Sequence, residues 1–160
     1  MARAAQVAGL SAQQRLCEAA ASVLEARCKE LEAHTRALLH EGGGEALHDV
    51  RVDLRRLRSL LEDFAPCFPE RARRRAAKEL KTLAAALGVA RDSEVLEALL
   101  ARHLALSAPA GRRALASLQR SIKEQRALEQ QRLQGALAQL QSKQPTARLQ
   151  RLAKHAREAR

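Results

Sequence analysis

Between His48 and Arg58 the chain reads His-Asp-Val-Arg-Val-Asp-Leu-Arg-Arg-Leu-Arg, one histidine and four arginines in eleven residues. Wound as a helix at about 100° per residue, His48, Arg51, Arg55 and Arg58 share one face. Leu47, Val50, Leu54, Leu57 and Leu61 form another, largely opposite stripe. The apolar stripe alone is enough to fold the helix. Cations stacked beside it repel one another, so the arrangement becomes useful only toward something outside, most simply a polyvalent anion. Arginine suits that task because its planar fork grips two phosphate oxygens. His48 stands at the helix start, where free backbone N–H groups also favour anions. An anion beside it would favour its charged form, so binding should strengthen below neutrality. The plainer reading of His48 is a polar residue that helps order the preceding glycine-rich turn.

A second stripe repeats the spacing. Arg71, Arg74, Lys78 and Lys81 again step by three, four and three, opposite Ala76, Ala77, Leu80, Leu83, Ala84 and Leu87. Either stripe alone reads more simply as a solvated helix face; their matched spacing raises the ligand reading to parity. Two consecutive helices joined by a short turn should pack antiparallel, which lets their basic faces converge on one groove. Arg91 stands where it could close one end of that groove, and Asp92 reads as an N-cap of the next helix; an exposed loop arginine beside an ordinary cap is the alternative.

The whole chain of 160 residues has a formal net charge of +11, which attracts phosphate polymers or anionic surfaces. It contains Phe64 and Phe68 but no Trp or Tyr. That weakens single-strand nucleic-acid binding, which stacks bases on aromatic rings, and leaves a membrane-surface helix without aromatic anchors. No window approaches the run of about 18 apolar residues of a membrane span, and the first residues lack the apolar core of a signal peptide. Cys17, Cys28 and Cys67 show no motif spacing and read as reduced thiols in the cytosol. His34 and His40 lack companions at metal-ligand spacing, so no metal or other cofactor is expected. No nucleophile–base pair stands out, so no catalytic residue is assigned. Gly42–Gly44 is followed by Glu45 rather than a lysine and reads as a turn, not a phosphate loop. Glu62 and Asp63 read as solvated helix charges.

The elements that must position these residues are all helical. Leu, Ala, Glu, Gln, Arg and Lys dominate, and strand signals are nearly absent. The fold class is therefore all-α, an antiparallel helical bundle of four to five helices. Residues 1–10 are expected to fray. The bundle should span 11–141, with helices from about Ser11 to His40, Glu45 to Ala65, Glu70 to Leu87, Asp92 to Leu106 and Arg112 to Gln141. Gly88 reads as the residue that ends the third helix. Residues 142–160, with Arg148, Arg151, Lys154, Arg157 and Arg160, read as a basic tail or a short docked helix.

The run Leu-His-Asp-Val-Arg-Val-Asp-Leu-Arg-Arg-Leu-Arg-Ser-Leu-Leu-Glu-Asp-Phe, followed by Glu-Leu-Lys-Thr-Leu-Ala-Ala-Ala-Leu-Gly-Val-Ala-Arg-Asp-Ser-Glu-Val-Leu, resembles the CHAD (conserved histidine α-helical) domain family. The resemblance is close over about residues 45–97 and includes His48, Arg51, Arg55, Arg56, Arg58, Lys81, Gly88, Arg91 and Asp92. It implies a helical bundle that binds inorganic polyphosphate, often at polyphosphate granules, without catalysis. The implied contacts are His48, Arg51, Arg55, Arg58, Lys81 and Arg91. The helical-face argument adds Arg74 and Lys78, with Arg71 and Arg56 secondary, since the wheel turns Arg56 toward a pairing with Asp53. Family members usually carry two such halves across a basic channel, and this chain has one His/Arg helix. A homodimer would restore the second side. The reading is thus a cytoplasmic, granule-associated polyphosphate binder. A basic nucleic-acid-binding protein of nucleoid type ranks second, and a structural helical adaptor third.

Overall fold

The computed structural model describes residues 6, 7, 10–41, 44–106, 121, 122 and 131–158, and gives only the backbone at 89–98, 101 and 104–106. Helix α1 is Leu16–Glu41, α2 is Gly44–Asp63, a 3-10 turn covers Ala65–Cys67, and α3 is Glu70–Leu106. Residues 131–141 form α4, and α5 is Gln144–Glu158. Among the described residues every element is a helix and none is a strand, as the Leu/Ala-rich composition dictates.

Four helices close a ring: α1 packs on α2 and α5, and α3 packs on α2 and α5. The core is built from aliphatic layers, with Leu24 and Leu31 of α1, Leu54, Leu57 and Leu61 of α2, Leu80, Leu83 and Leu87 of α3, and Leu149 of α5 fully buried. Ala136 and Leu140 of α4 join the same cluster. Cross-helix contacts fix the directions. His34 meets Asp53 and Cys17 meets Cys67, so α1 and α2 run antiparallel. Arg157 pairs with Glu25 at 2.7 Å, while Pro145 and Thr146 line a pocket with Leu31 and Thr35, so α5 is antiparallel to α1.

Three expectations are corrected. Helices expected to end at Leu87 and restart at Asp92 are one helix of 37 residues. Gly88 is buried inside it, and tertiary packing overrides the local stop signal. Asp92 therefore lies within a helix rather than capping one. Of the two forms left open for the C-terminal stretch, which needs no correction, residues 144–158 take the docked helix: Pro145 sits in its first turn, where a missing N–H costs nothing, and Leu149, Leu152, Ala153 and Ala156 point into the core. Lys143, at a φ of 53°, makes the turn between α4 and α5. Finally, Cys17 and Cys67 form a disulfide. The first turn of α1 lies against the α2–α3 turn, which brings together two thiols 50 residues apart; only Cys28 is free. The first helix also starts later than expected, at Leu16.

Candidate functional site

The α2 stripe seats its basic face by burying its apolar one. With Leu47, Val50, Leu54, Leu57 and Leu61 inside, Arg51 and Arg58 are left half-buried at the edge facing α3, and His48 and Arg55 are exposed. The Arg51 guanidinium lies against α3 at Gly88: a Cβ built there would stand 3.6 Å from Nη2 and 3.8 Å from Cζ. A residue without a side chain thus lets the cation lie along the helix surface. Because α2 and α3 are antiparallel, seven residues onward from Arg51 and seven back from Gly88 reach the same level, which is Arg58 beside Lys81. Helical spacing thus sets Arg58 and Lys81 along the same α2–α3 seam as Arg51, where the sequence leads one to expect a groove, and no described carboxylate pairs with them.

The other sequence-assigned residues divide around this groove. Arg74 rims it but is paired with Glu70 at 2.6 Å on an exposed surface, an interaction worth little in water. Arg71 and Lys78 are exposed, with Lys78 on the outer crest of α3. Arg55 also edges a depression between α1 and α2, with Arg27, Arg56, Ser59 and Phe64. Arg56 turns toward α1, its Nη1 3.7 Å from Asp53 Oδ1. The side chain of Arg91 lies outside the described residues. Among the described residues no group of His, Cys, Asp and Glu gathers that could hold a metal, and no described helix is long and apolar enough to cross a membrane.

Sequence reasoning missed the polar centre beneath this surface. Asp53 is 0% exposed, and its Oδ2 lies 2.5 Å from His34 Nδ1. Burial pushes the Asp53 carboxyl above its ordinary value, partly offset by the hydrogen bond and charge of His34. The available signal was an acid inside the Val50–Leu57 stripe. Its partner lies on another helix, which periodicity does not reveal. The pair links α1 to α2 directly under the helix that carries the arginines.

A family model for the CHAD domain matches residues 22–160. Two curated relatives, both described as uncharacterized proteins of Mycobacterium tuberculosis, are 43% identical over 65 residues. That stretch is 41% of this chain and 13% of each relative, so the match spans about an eighth of their length. No solved structure matches the chain significantly. A family match over residues 22–160 takes in every helix from the body of α1 through α5, and the chain belongs to the CHAD domain family.

Proposed function

We propose that the chain binds inorganic polyphosphate along the α2–α3 groove and acts by binding rather than by catalysis. The observation that carries the reading is Arg51 laid over Gly88, with no described carboxylate paired to it and with Arg58 and Lys81 following at helical spacing. A phosphate chain offers charge and no base, so spaced cations are the whole of its recognition. Arginine forks supply the directed hydrogen bonds and Lys81 a point charge. His48 and Arg55 extend the contact along α2, and Arg74 and Lys78 along α3.

The test is competition at fixed salt between labelled long-chain polyphosphate and duplex DNA or RNA. Polyphosphate should win at equal charge; a nucleic acid that wins would establish the nucleoid-type alternative instead. Charge reversal of Arg51, Arg55 and Arg58 together should abolish binding along this groove while leaving the helical signal intact. A homodimer that sets two grooves face to face belongs to the same proposal, and a sedimenting monomer that still binds tightly would remove it. Granule association is likewise part of the proposal. Placement in the cytoplasm has lost its thiol argument, because the Cys17–Cys67 bond is what an oxidising compartment gives.

A further inference from the structure

The opposite flank of α3 carries a second row of cations. Glu79 of α3 pairs with Arg148 of α5 and accepts a hydrogen bond from Gln139 Nε2 at 3.0 Å. This contact fixes the level of α5 against α3. The two helices run antiparallel, because α3 is antiparallel to α2, α2 to α1, and α1 to α5. One turn back from Glu79 is Arg75, and one turn on from Arg148 is Arg151. One further turn reaches Arg71 and His155. Helical spacing thus sets Arg75 level with Arg151, and Arg71 level with His155, at successive steps of about 5–6 Å from the salt bridge.

All four of these residues are exposed, and no described carboxylate pairs with any of them. The nearby acids are engaged elsewhere, Glu70 with Arg74 and Glu158 with Lys154 at 3.9 Å. Arg75 and Arg151 carry like charge at one level of the seam and repel each other. Nothing in packing requires them, since α5 is docked by Leu149, Leu152, Ala153 and Ala156. Charge complementarity therefore selects an anion that runs lengthwise along the seam.

We infer that the α3–α5 seam is a second phosphate-chain track, contacted by Arg71, Arg75, Arg151 and His155 and separate from the α2–α3 groove. Its ligand class is a linear oligophosphate, and this rests on the polyphosphate reading above. The outer crest of α3, with Lys78, lies between the two tracks. One molecule would hold two phosphate chains at once and cross-link long polymer.

Titration calorimetry of the full chain with tripolyphosphate at low salt tests this. The unaltered chain should take up two equivalents. Arg75→Ala with Arg151→Ala should retain one, and Arg51→Ala with Arg55→Ala and Arg58→Ala should retain the other. Without ligand, the Arg75/Arg151 variant should melt no lower than the unaltered chain, because it loses a repulsion and no core contact. One equivalent on the unaltered chain, or two remaining on the Arg75/Arg151 variant, overturns the second track. If the α2 variant loses all binding while the seam variant keeps all of it, the groove stands and the seam falls. If the seam variant alone loses all binding, the seam stands and the groove reading falls.

Discussion

At Gly88 an added methyl group would meet the Arg51 guanidinium at 3.6 Å, ordinary van der Waals contact, so the site has room for alanine and for little more. Gly88→Ala should raise stability by about 1 kcal/mol through helix propensity alone and leave polyphosphate affinity unchanged. Gly88→Leu should keep the helix and displace the guanidinium, weakening binding; thermal melts and a binding titration on the two variants separate the effects. Asp53 gives a pH prediction. Its folded pKa is raised by burial, against the opposing pull of His34. A raised value means the protonated form is favoured in the folded state. The contribution is therefore complete below the ordinary value of 3.8 and is lost as pH rises through the higher folded value. The stability of the native chain minus that of Asp53→Asn should fall across that window in denaturant titrations at several pH values, and a flat difference would refute it. Both residues show where sequence falls short. Glycine is a sound stop signal in isolation, and its use here depends on an arginine 37 positions earlier. Asp53 was visible as an intruder in an apolar stripe, but its partner His34 was not.

At the scale of elements, the amphipathic periods of α1 and α2, and the break between them, were legible because each helix has one dominant apolar face. The two stripes of cations were legible for the same reason. The length of α3 was not, because a glycine and a capping aspartate outweigh periodicity in any local reading. Helix α5 was ambiguous because four buried apolar residues are interleaved with a heavily basic face. The disulfide was beyond inference, since three cysteines without motif spacing do not define a pairing. It encloses α1 and α2 in a covalent loop with a sequence separation of 50, for which chain entropy gives about 4 kcal/mol. Cys17→Ser and treatment with a thiol reductant should each lower unfolding free energy by a similar amount, up to that size. Cys28 is the internal control. Its burial, with Glu32 and Glu25 nearby, pushes the thiol up to about 12, so a thiol reagent should modify it only after unfolding.

For the molecule as a whole, the net charge of +11 is distributed so that α3 has cations on its crest and along both flanks. Affinity for a phosphate polymer should therefore fall steeply with salt, and the dependence should flatten as contacts are removed. In a plot of log affinity against log salt, Arg51→Ala with Arg55→Ala and Arg58→Ala should give a shallower slope; an unchanged slope would mean those arginines do not touch phosphate. The ring of helices has a consequence for biosynthesis. Helices α1, α2 and α3 leave the ribosome before α5, the wall that joins α1 to α3. From the end of α3 at Leu106 to the end of α5 at Glu158, translation at about 5–20 residues per second takes roughly 3–10 s. Throughout that interval the nascent chain presents an open leucine-lined trough, long enough for a chaperone to engage it or for a neighbouring nascent chain to stick. A premature stop before Leu149 would leave the trough permanently open, and such a product should be cleared or aggregate even though every residue of the α2–α3 groove is present in it.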